Sequence, residues 1–183
     1  MWNKLKTDFK AFMNDILNFA QEANLDASNL EIDHAALRFK KAEDVDLLLS
    51  ELKDLSNILS QAVVNGRKIY ILKLNKPLVF KNYSIPCLEL PYPSKDHDYP
   101  KDGWEHVEFV IQNSNPDTLQ ADFKSIFPNF NDEYKERFNY RISTPKVEIA
   151  EQLLNTTIAL EKHKGLALKF HCYPIEKVVT SKI

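Results

Sequence analysis

The sequence predicts an α+β fold in which two βαβββ modules, preceded by an N-terminal helix, share a sheet-lined cleft. Three observations lead to this prediction. Residues 1–30 have apolar side chains at helical spacing, the order strand, helix and three strands occurs twice in the remaining chain, and an acid–histidine pair stands at the start of each repeat. Repetition of the same order of elements indicates an internal duplication.

Residues 1–30 form the predicted N-terminal helical segment. Its apolar residues recur every three or four positions with lysines and acids between them, which is typical of an amphipathic helix that packs on a core. A membrane-binding or partner-binding helix is the less favoured alternative, because such stripes usually face their own domain. The stripe consists of Leu5, Phe9, Phe12, Met13, Ile16, Phe19 and Ala20.

The first module is predicted over residues 31–93. Residues 31–39 alternate in polarity as a strand does, and residues 42–55 then show helical spacing. A turn at Asn65-Gly66 joins the next two strands. The three strand-like runs after the helix cover residues 58–64, 68–74 and 83–90.

The second module is predicted over residues 103–179, after a loop at 91–102 that is rich in Pro, Asp and Lys. Residues 104–112 have the pattern of a strand, and a helix over 115–127 ends before a proline. Residues 145–151 are alternatively a short helical insert. The further strand-like runs cover residues 134–143, 154–161 and 166–172.

Composition narrows the class of protein. A chain of 183 residues, 44% hydrophobic and 27% charged, is typical of a soluble globular protein. Its net charge of -2 and its lack of a basic stripe argue against nucleic acid as a partner. No apolar run approaches the roughly 20 residues that span a bilayer, so we expect no membrane association and a cytoplasmic location. Nothing in the sequence specifies an oligomeric state.

Residue counts exclude several kinds of site. Only three glycines are present, which excludes glycine-rich phosphate loops. Cys87 and Cys172 lack the spacing of a redox motif or a zinc ribbon, and they are more typical of small core residues than of nucleophiles.

A potential metal ligand recurs at two equivalent positions of the modules. The segment IDHAAL at 32–37 aligns with WEHVEF at 104–109, and each contains an acid followed by a histidine. At the end of each module, the segment LEL before a proline aligns with FHC. The four candidate ligands are His34, Glu89, His106 and His171.

Strand parity supports a shared cleft, because successive side chains of a strand point to opposite faces. His34 and His106 lie on the more polar faces of their strands, and His171 shares a face with Lys169. Imidazoles together with the carboxylate of Glu89 suit a divalent ion such as Zn, Mn, Fe, Ni or Co. Such an ion could polarise a substrate oxygen or lower the pKa of water.

The chain resembles the YecM family of putative metal-binding proteins and, more broadly, the vicinal oxygen chelate superfamily of glyoxalase I, methylmalonyl-CoA epimerase and the extradiol dioxygenases. The resemblance covers about residues 32–179 and is most specific at the segments GWEH (103–106) and KFH (169–171). It also includes IDH (32–34), ALR (36–38), GR (66–67), ELP (89–91), Asn155 and TIA (157–159).

This resemblance implies an open, mostly antiparallel barrel-like sheet whose metal ligands come from the first and last strands of each module. The corresponding positions are those of His34, Glu89, His106 and His171. The superfamily more often has Glu at the position of His171, so Glu161 is a substitute carboxylate. The implied function is a metal-dependent isomerase, lyase or dioxygenase-like enzyme acting on a small oxygen-chelating substrate.

The catalytic candidate is Glu108, which could move a proton beside the ion, with Glu89 as the alternative. A non-catalytic protein that binds a metal or small ligand in the same cleft is a second hypothesis. A structural or partner-binding domain with no metal is a third.

The sequence predicts only general positions or roles for the other notable polar and aromatic residues. Trp104 shares the predicted face of His106 and is expected to pack in the cleft wall. His97 and His163 are expected to be surface residues. Cationic and phenolic side chains could bind an anionic substrate or form ion pairs, namely Arg38, Arg67, Tyr140 and Arg141.

Overall fold

The computed structural model describes residues 1–94, 100–144, 153–162 and 165–181. Within these ranges the helices are α1 (Trp2–Glu22), α2 (Ala42–Leu52), α3 (Leu119–Ile126), α4 (Asp132–Arg137) and α5 (Ile175–Thr180). The strands are β1 (Glu31–Arg38), β2 (Ser56–Val64), β3 (Arg67–Phe80), β4 (Tyr83–Pro91), β5 (Gly103–Val110), β6 (Arg141–Ser143), β7 (Thr157–Lys162) and β8 (Leu166–His171).

The strands form one open sheet in the order β2-β3-β4-β1-β5-β8-β7-β6. β1 and β5 pair antiparallel at the centre, β1 pairs parallel with β4, and β5 pairs parallel with β8. The remaining pairings of the described strands are antiparallel. The predicted α+β class and mostly antiparallel open sheet are thus confirmed. The strand order of one half mirrors that of the other, whereas the module boundaries 31–93 and 103–179 stay predictions.

Helix α1 covers one face of the sheet, where it contacts β5 and β8. The whole predicted apolar stripe of this helix is buried, together with Trp2. Phe19 of α1 is fully buried, as are Phe109 of β5 and Phe170 of β8. Each such side chain contributes roughly 1.5–3 kcal/mol when it leaves water. Within the described ranges, no helix combines the length and apolar character required to cross a bilayer.

Trp104 lies on the helix-covered face, and its predicted place in the cleft wall is wrong. Its ring centroid is 5.0 Å from that of Phe9, and its Nε1 donates to the carbonyl oxygen of Leu5 at 2.8 Å. The register between β1 and β5 shifts at Glu105, which makes a β-bulge. A bulge interrupts the alternation of faces, so parity counted from His106 fails at Trp104.

Two segments differ from the predicted elements. Residues 134–143, predicted as one strand, contain the end of α4 followed by the short strand β6. The side chain of Asn131 accepts a hydrogen bond from the backbone N–H of Tyr134, which caps α4 and favours a helix there. Helix α5 has only six residues and was not predicted, because so short a segment shows little helical periodicity. The alternative insert at 145–151 lies outside the described residues.

Candidate metal centre

The acid–histidine pairs of the two halves lie on β1 and β5, the central antiparallel strands. The register between these strands shifts twice, once between Ile32 and His34 and once at Glu105. A β-bulge re-aims a side chain out of the regular alternation. Asp33 and Glu105 can therefore contact the histidine that follows each of them.

Each histidine is held through its Nδ1 atom by the preceding carboxylate. Nδ1 of His34 lies 3.0 Å from Oδ1 of Asp33, and Nδ1 of His106 lies 2.8 Å from Oε2 of Glu105. Ionised carboxylates only accept hydrogen bonds, so each Nδ1 carries a proton, and in a neutral ring the Nε2 atom then has a lone pair. Both rings are buried, and within the described residues neither Nε2 atom has a hydrogen-bond partner.

Two carboxylates face these Nε2 atoms. Oε1 of Glu108 lies 3.4 Å from Nε2 of His34 and 3.3 Å from Nε2 of His106, while Oε2 of Glu89 lies 4.0 Å from Nε2 of His34. One potential donor atom from each of the four residues lies within 4.8 Å of all the others. Bonds from such donors to a transition ion are about 2 Å long, so donors this close together could hold one ion. Three predicted ligands therefore lie together, and Glu108 joins them.

Two basic side chains pair with the carboxylates. Arg38 contacts Glu89 at 3.0 Å and Glu105 at 2.9 Å, and Lys169 donates to Oε1 of Glu108 at 3.0 Å. Burial alone would raise the pKa of Glu89, but Arg38 and Lys169 lower it to about 2. Burial of Glu105 is likewise outweighed, by its hydrogen bond to the next histidine and by Arg38, and its pKa is also about 2. Both groups are therefore ionised at neutral pH.

The negative charges also act on His34. Burial alone would lower its pKa, but the charges of Asp33 and Glu108 raise the pKa of His34 well above 6.5. Burial opposes ionisation of these two carboxyls as well, yet their pKa values are lowered, by His171 and His34 for Asp33 and by Lys169 and His34 for Glu108. A cation at this position would therefore compete with a proton for His34.

His171 lies beside this group, and both of its ring nitrogens have partners. Its Nε2 is 3.1 Å from Oδ1 of Asp33, and its Nδ1 is 2.7 Å from Nδ2 of Asn155. The amide of Asn155 has one orientation, because its oxygen accepts from the N–H of Tyr173 and its nitrogen donates to the carbonyl of that residue. Asp33, His34 and His171 form a second group of potential donors within 4.8 Å. Metal ligation by His171 stays a prediction.

Three of the four predicted anion-binding residues, namely Arg38, Arg67 and Arg141, line the cleft. The fourth, Tyr140, packs against the aromatic side chain of Phe130. Glu161, the substitute carboxylate, is paired with Arg141 and belongs to neither group of potential metal ligands found within the described ranges.

The two cysteines are free and buried. Burial raises the pKa of the Cys87 thiol to about 12, which keeps it protonated and a poor nucleophile. His97 and His163 lie outside the described residues.

The groups around His34 and His106 lie at the floor of a cleft of about 970 Å3. The cleft is on the side of the sheet away from the core that packs under α1. Its walls include the inward-facing residues of β2, β3, β7 and β8 and one side of α5. A site at the base of such a concave surface can exclude much of the water around a bound ion and ligand.

Comparison with known proteins identifies the family. Residues 2–182 match the family model described as YecM protein. The chain belongs to the YecM family. An uncharacterised protein of Haemophilus influenzae is 34% identical over 177 residues, which cover 94% of this chain and 91% of that protein. Protein YecM of Escherichia coli is 29% identical over 180 residues, which cover 97% of this chain and 92% of that protein.

A solved structure described as "Structural Genomics, Protein EC4020" has the same fold as this YecM-family chain. The two match with a TM-score of 0.81 at 26% identity, over 97% of this chain and 90% of that one. The resemblance to the YecM family is thus confirmed, and membership of the vicinal oxygen chelate superfamily stays a prediction.

Sequence reasoning gave no role to three polar residues that hold the histidines. Asp33, Glu105 and Asn155 each hydrogen-bond to a histidine ring at the floor of the cleft. The signal for the first two was visible, because an acid precedes the repeated histidine in both modules. Regular strand parity places these acids on the face opposite to the histidines. The β-bulges that instead bring each acid to its histidine have no sequence signature in either segment.

Proposed function

We propose that this protein binds a divalent transition-metal ion through His34, His106, Glu89 and Glu108, and that the bound ion makes it a metal-dependent enzyme. The observation that carries the proposal is the pair of buried Nε2 atoms of His34 and His106, which have no hydrogen-bond partner among the residues that the structure describes. A buried polar atom without a partner costs roughly 1–3 kcal/mol, and two that converge on carboxylate oxygens are most simply explained as ligands.

The charges of the contacting groups support a dication. Within the described part of the chain, the ionised carboxylates of Asp33, Glu89, Glu105 and Glu108 surround the two histidines, and the ion pairs of these carboxylates with fixed cations are to Arg38 and Lys169. With neutral imidazoles, these groups together carry two more negative than positive charges. Burial of uncompensated charge is expensive, so an ion of charge +2 would stabilise the arrangement. Mixed imidazole and carboxylate donors suit Zn, Mn, Fe, Ni or Co.

An ion at this place would supply a Lewis acid for an oxygen atom of the substrate. Around it, Asp33 and Glu105 orient the two imidazoles, and Lys169 is positioned to hold an anionic oxygen. Oε2 of Glu108 lies 3.3 Å from Nδ1 of His171 and could take up or release a proton. These roles suit an isomerase, lyase or dioxygenase-like reaction of a substrate that binds through neighbouring oxygens.

Elemental analysis tests the proposed ion. Purified wild-type protein should contain about one equivalent of a divalent transition metal. His34→Ala and His106→Ala should each lose it, whereas Glu161→Gln, a matched change at an exposed carboxylate of the same cleft, should retain it. Wild-type protein that neither contains nor takes up a stoichiometric metal would contradict the proposal.

Catalysis is tested separately with metal-loaded protein and three substrate classes, namely thiohemiacetals, catechols and 2-methyl acyl thioesters. Turnover that disappears in His106→Ala and persists in Glu161→Gln would support an enzyme. Tight binding of an oxygen chelator with no turnover of any class would favour the second candidate, a non-catalytic metal- or ligand-binding protein with the same cleft.

A further inference from the structure

We infer that the ligand of this cleft is an amphiphile, with an oxygen-donor head at the metal centre and an extended apolar body, such as an acyl chain, along β2, β3 and α5. The inference rests on the proposed function for the position of the head. The substrate class is inferred from the position of charged residues at the floor of the cleft next to an apolar wall.

The apolar wall begins beside a proposed metal ligand. Ile71 of β3 pairs with Glu89 of β4, and on its other side it pairs with Ser60 of β2. The next cleft-facing pair along the same two strands is Ile69 with Ala62. Neighbouring strands are about 4.8 Å apart, so this surface extends roughly 10 Å from Glu89 to the edge strand.

Helix α5 continues the wall. Ile175, Val178 and Val179 line the cleft, and the helix contacts β2 and β1. The helix is fixed to the floor, because the backbone N–H of Ile175 donates to the carboxylate of Asp33. Asp33 also contacts His34, so one buried carboxylate contacts both the candidate metal centre and the apolar wall.

Two positions on the opposite side of the cleft have small side chains. Ala167 of β8 pairs with His106, and Ala159 of β7 pairs with Lys169. Both alanines line the cleft, so room remains above the metal centre between them and the apolar wall.

Size and polarity together favour an apolar body. A cleft of about 970 Å3 is near the upper end of the ~300–1,000 Å3 range for drug-sized ligands, so a three- or four-carbon acid would fill little of it. A ligand rich in hydroxyl groups would place them against Ala62, Ile69 and Ile71, whose side chains offer no hydrogen bond. Buried hydroxyls without partners are unfavourable, whereas apolar groups gain free energy there.

A homologous series of alkyl hydroxamates tests this inference with the metal-loaded full-length protein. Acetohydroxamate measures binding of the head alone, and hexano-, octano- and decanohydroxamate add apolar length. Each methylene that leaves water should tighten the Kd by up to about fourfold, until the chain reaches the edge of the cleft.

Two variants at neighbouring positions of β2 provide the control. Ala62 faces the cleft, and Val63 is 37% exposed on the other face of the strand. Ala62→Trp should remove the gain with chain length while acetohydroxamate still binds, and Val63→Trp should behave as the wild type. Should Ala62→Trp fail to fold, Ile69→Ser is the substitute, because it weakens long chains without adding volume.

The two proposals fail in different ways. Wild-type protein that binds acetohydroxamate and the longer chains equally would overturn the amphiphile while leaving the metal centre intact. Chain-length dependence that Ala62→Trp leaves unchanged would also overturn it, because the chain would then lie elsewhere. Absence of stoichiometric metal, together with no binding of any hydroxamate, would overturn the proposed function and the inference with it.

Discussion

The two halves of the molecule use the same strand positions for different purposes. Both start with an acid–histidine pair at a β-bulge, and in both the acid holds Nδ1 of the histidine. Their last strands differ, because β4 provides Glu89, whose carboxylate faces His34, and β8 provides His171, whose two ring nitrogens already have partners. At this equivalent position, one half therefore has a carboxylate that faces a histidine Nε2 atom, and the other half has an imidazole whose two nitrogens both have partners.

The supporting acids differ as well. Asp33 accepts from His34, from His171 and from the backbone of Ile175, so it connects both halves to α5. Glu105 contacts the adjacent histidine and Arg38. The first half thus holds the more central of the two acids.

The largest expected difference is in metal affinity, between variants of Glu89 on β4 and of His171 on β8. Glu89→Gln should weaken metal binding by more than ~100-fold because it removes a ligand, whereas His171→Gln should cost ~10–100-fold, as is usual for a group that supports ligands. Competition with a metal-binding dye measures both. A greater loss in His171→Gln than in Glu89→Gln would make His171 the ligand and reverse the comparison.

The two supporting acids should differ in their effect on stability. Asp33→Ala should lower the free energy of unfolding of the metal-free protein by about 3 kcal/mol, because three donors lose their acceptor and two of them are on buried histidine rings. Glu105→Ala should cost about 1 kcal/mol, since its side chain is 21% exposed and water can replace it in part. Urea denaturation with a chelator present measures both losses. Equal losses would contradict the more central role of Asp33.

The pH dependence of the metal-free protein separates the histidine from the acids. The folded-state pKa of His34 is above 6.5, so its contribution to stability is complete below about pH 6.5 and is lost as pH rises through that folded-state value. Glu89 and Glu105 have folded-state pKa values of about 2 against an ordinary 4.5, so their contribution is present above pH 4.5 and is lost as pH falls towards 2.

Stability without metal should therefore be greatest between these limits and decrease on either side. Metal affinity should instead increase above pH 6.5, because the ion displaces the proton of His34. Chemical denaturation and metal titration across the pH range measure the two trends. In His34→Gln the loss of stability at alkaline pH should disappear, and its persistence would assign it to another group.

The smallest expected effect tests the bulge of the second half. Trp104→Phe should lower the free energy of unfolding by about 1 kcal/mol, because it removes the hydrogen bond to Leu5. Metal affinity should be unchanged, since Trp104 lies on the helix-covered face. A marked loss of metal in this variant would place Trp104 in the cleft, as simple parity predicts.

Much of the fold could be predicted because the relevant patterns are local. The stripe of α1, the order of elements and the repeated histidine are all readable from residue spacing. The division of 134–143 into α4 and β6 depends on a side-chain cap at Asn131, which competes with strand periodicity. Helix α5 depends on its contacts with β1 and β2, which no local pattern reveals.

The residue types of the candidate site could be predicted from the sequence, but its geometry could be predicted only in part. His34, Glu89 and His106 were recognised from the repeat, and one potential donor atom of each lies within 4.8 Å of those of the others. The place of Glu108 among them depends on the exact pairing of β1 and β5. The partners of His171 come from Asp33 and Asn155, which are 138 and 16 residues away in sequence, and such long-range hydrogen bonds have no signature in a single sequence.

X-ray absorption spectroscopy of the zinc-loaded protein tests the central claim most directly, because it counts the imidazoles bound to the ion. Two imidazole nitrogens at about 2.0–2.1 Å, together with carboxylate oxygens, are expected in the wild type, in Glu161→Gln and in His171→Gln. His34→Ala and His106→Ala should each retain at most one. A spectrum without imidazole, or one with three imidazoles that fall to two in His171→Gln, would contradict the account.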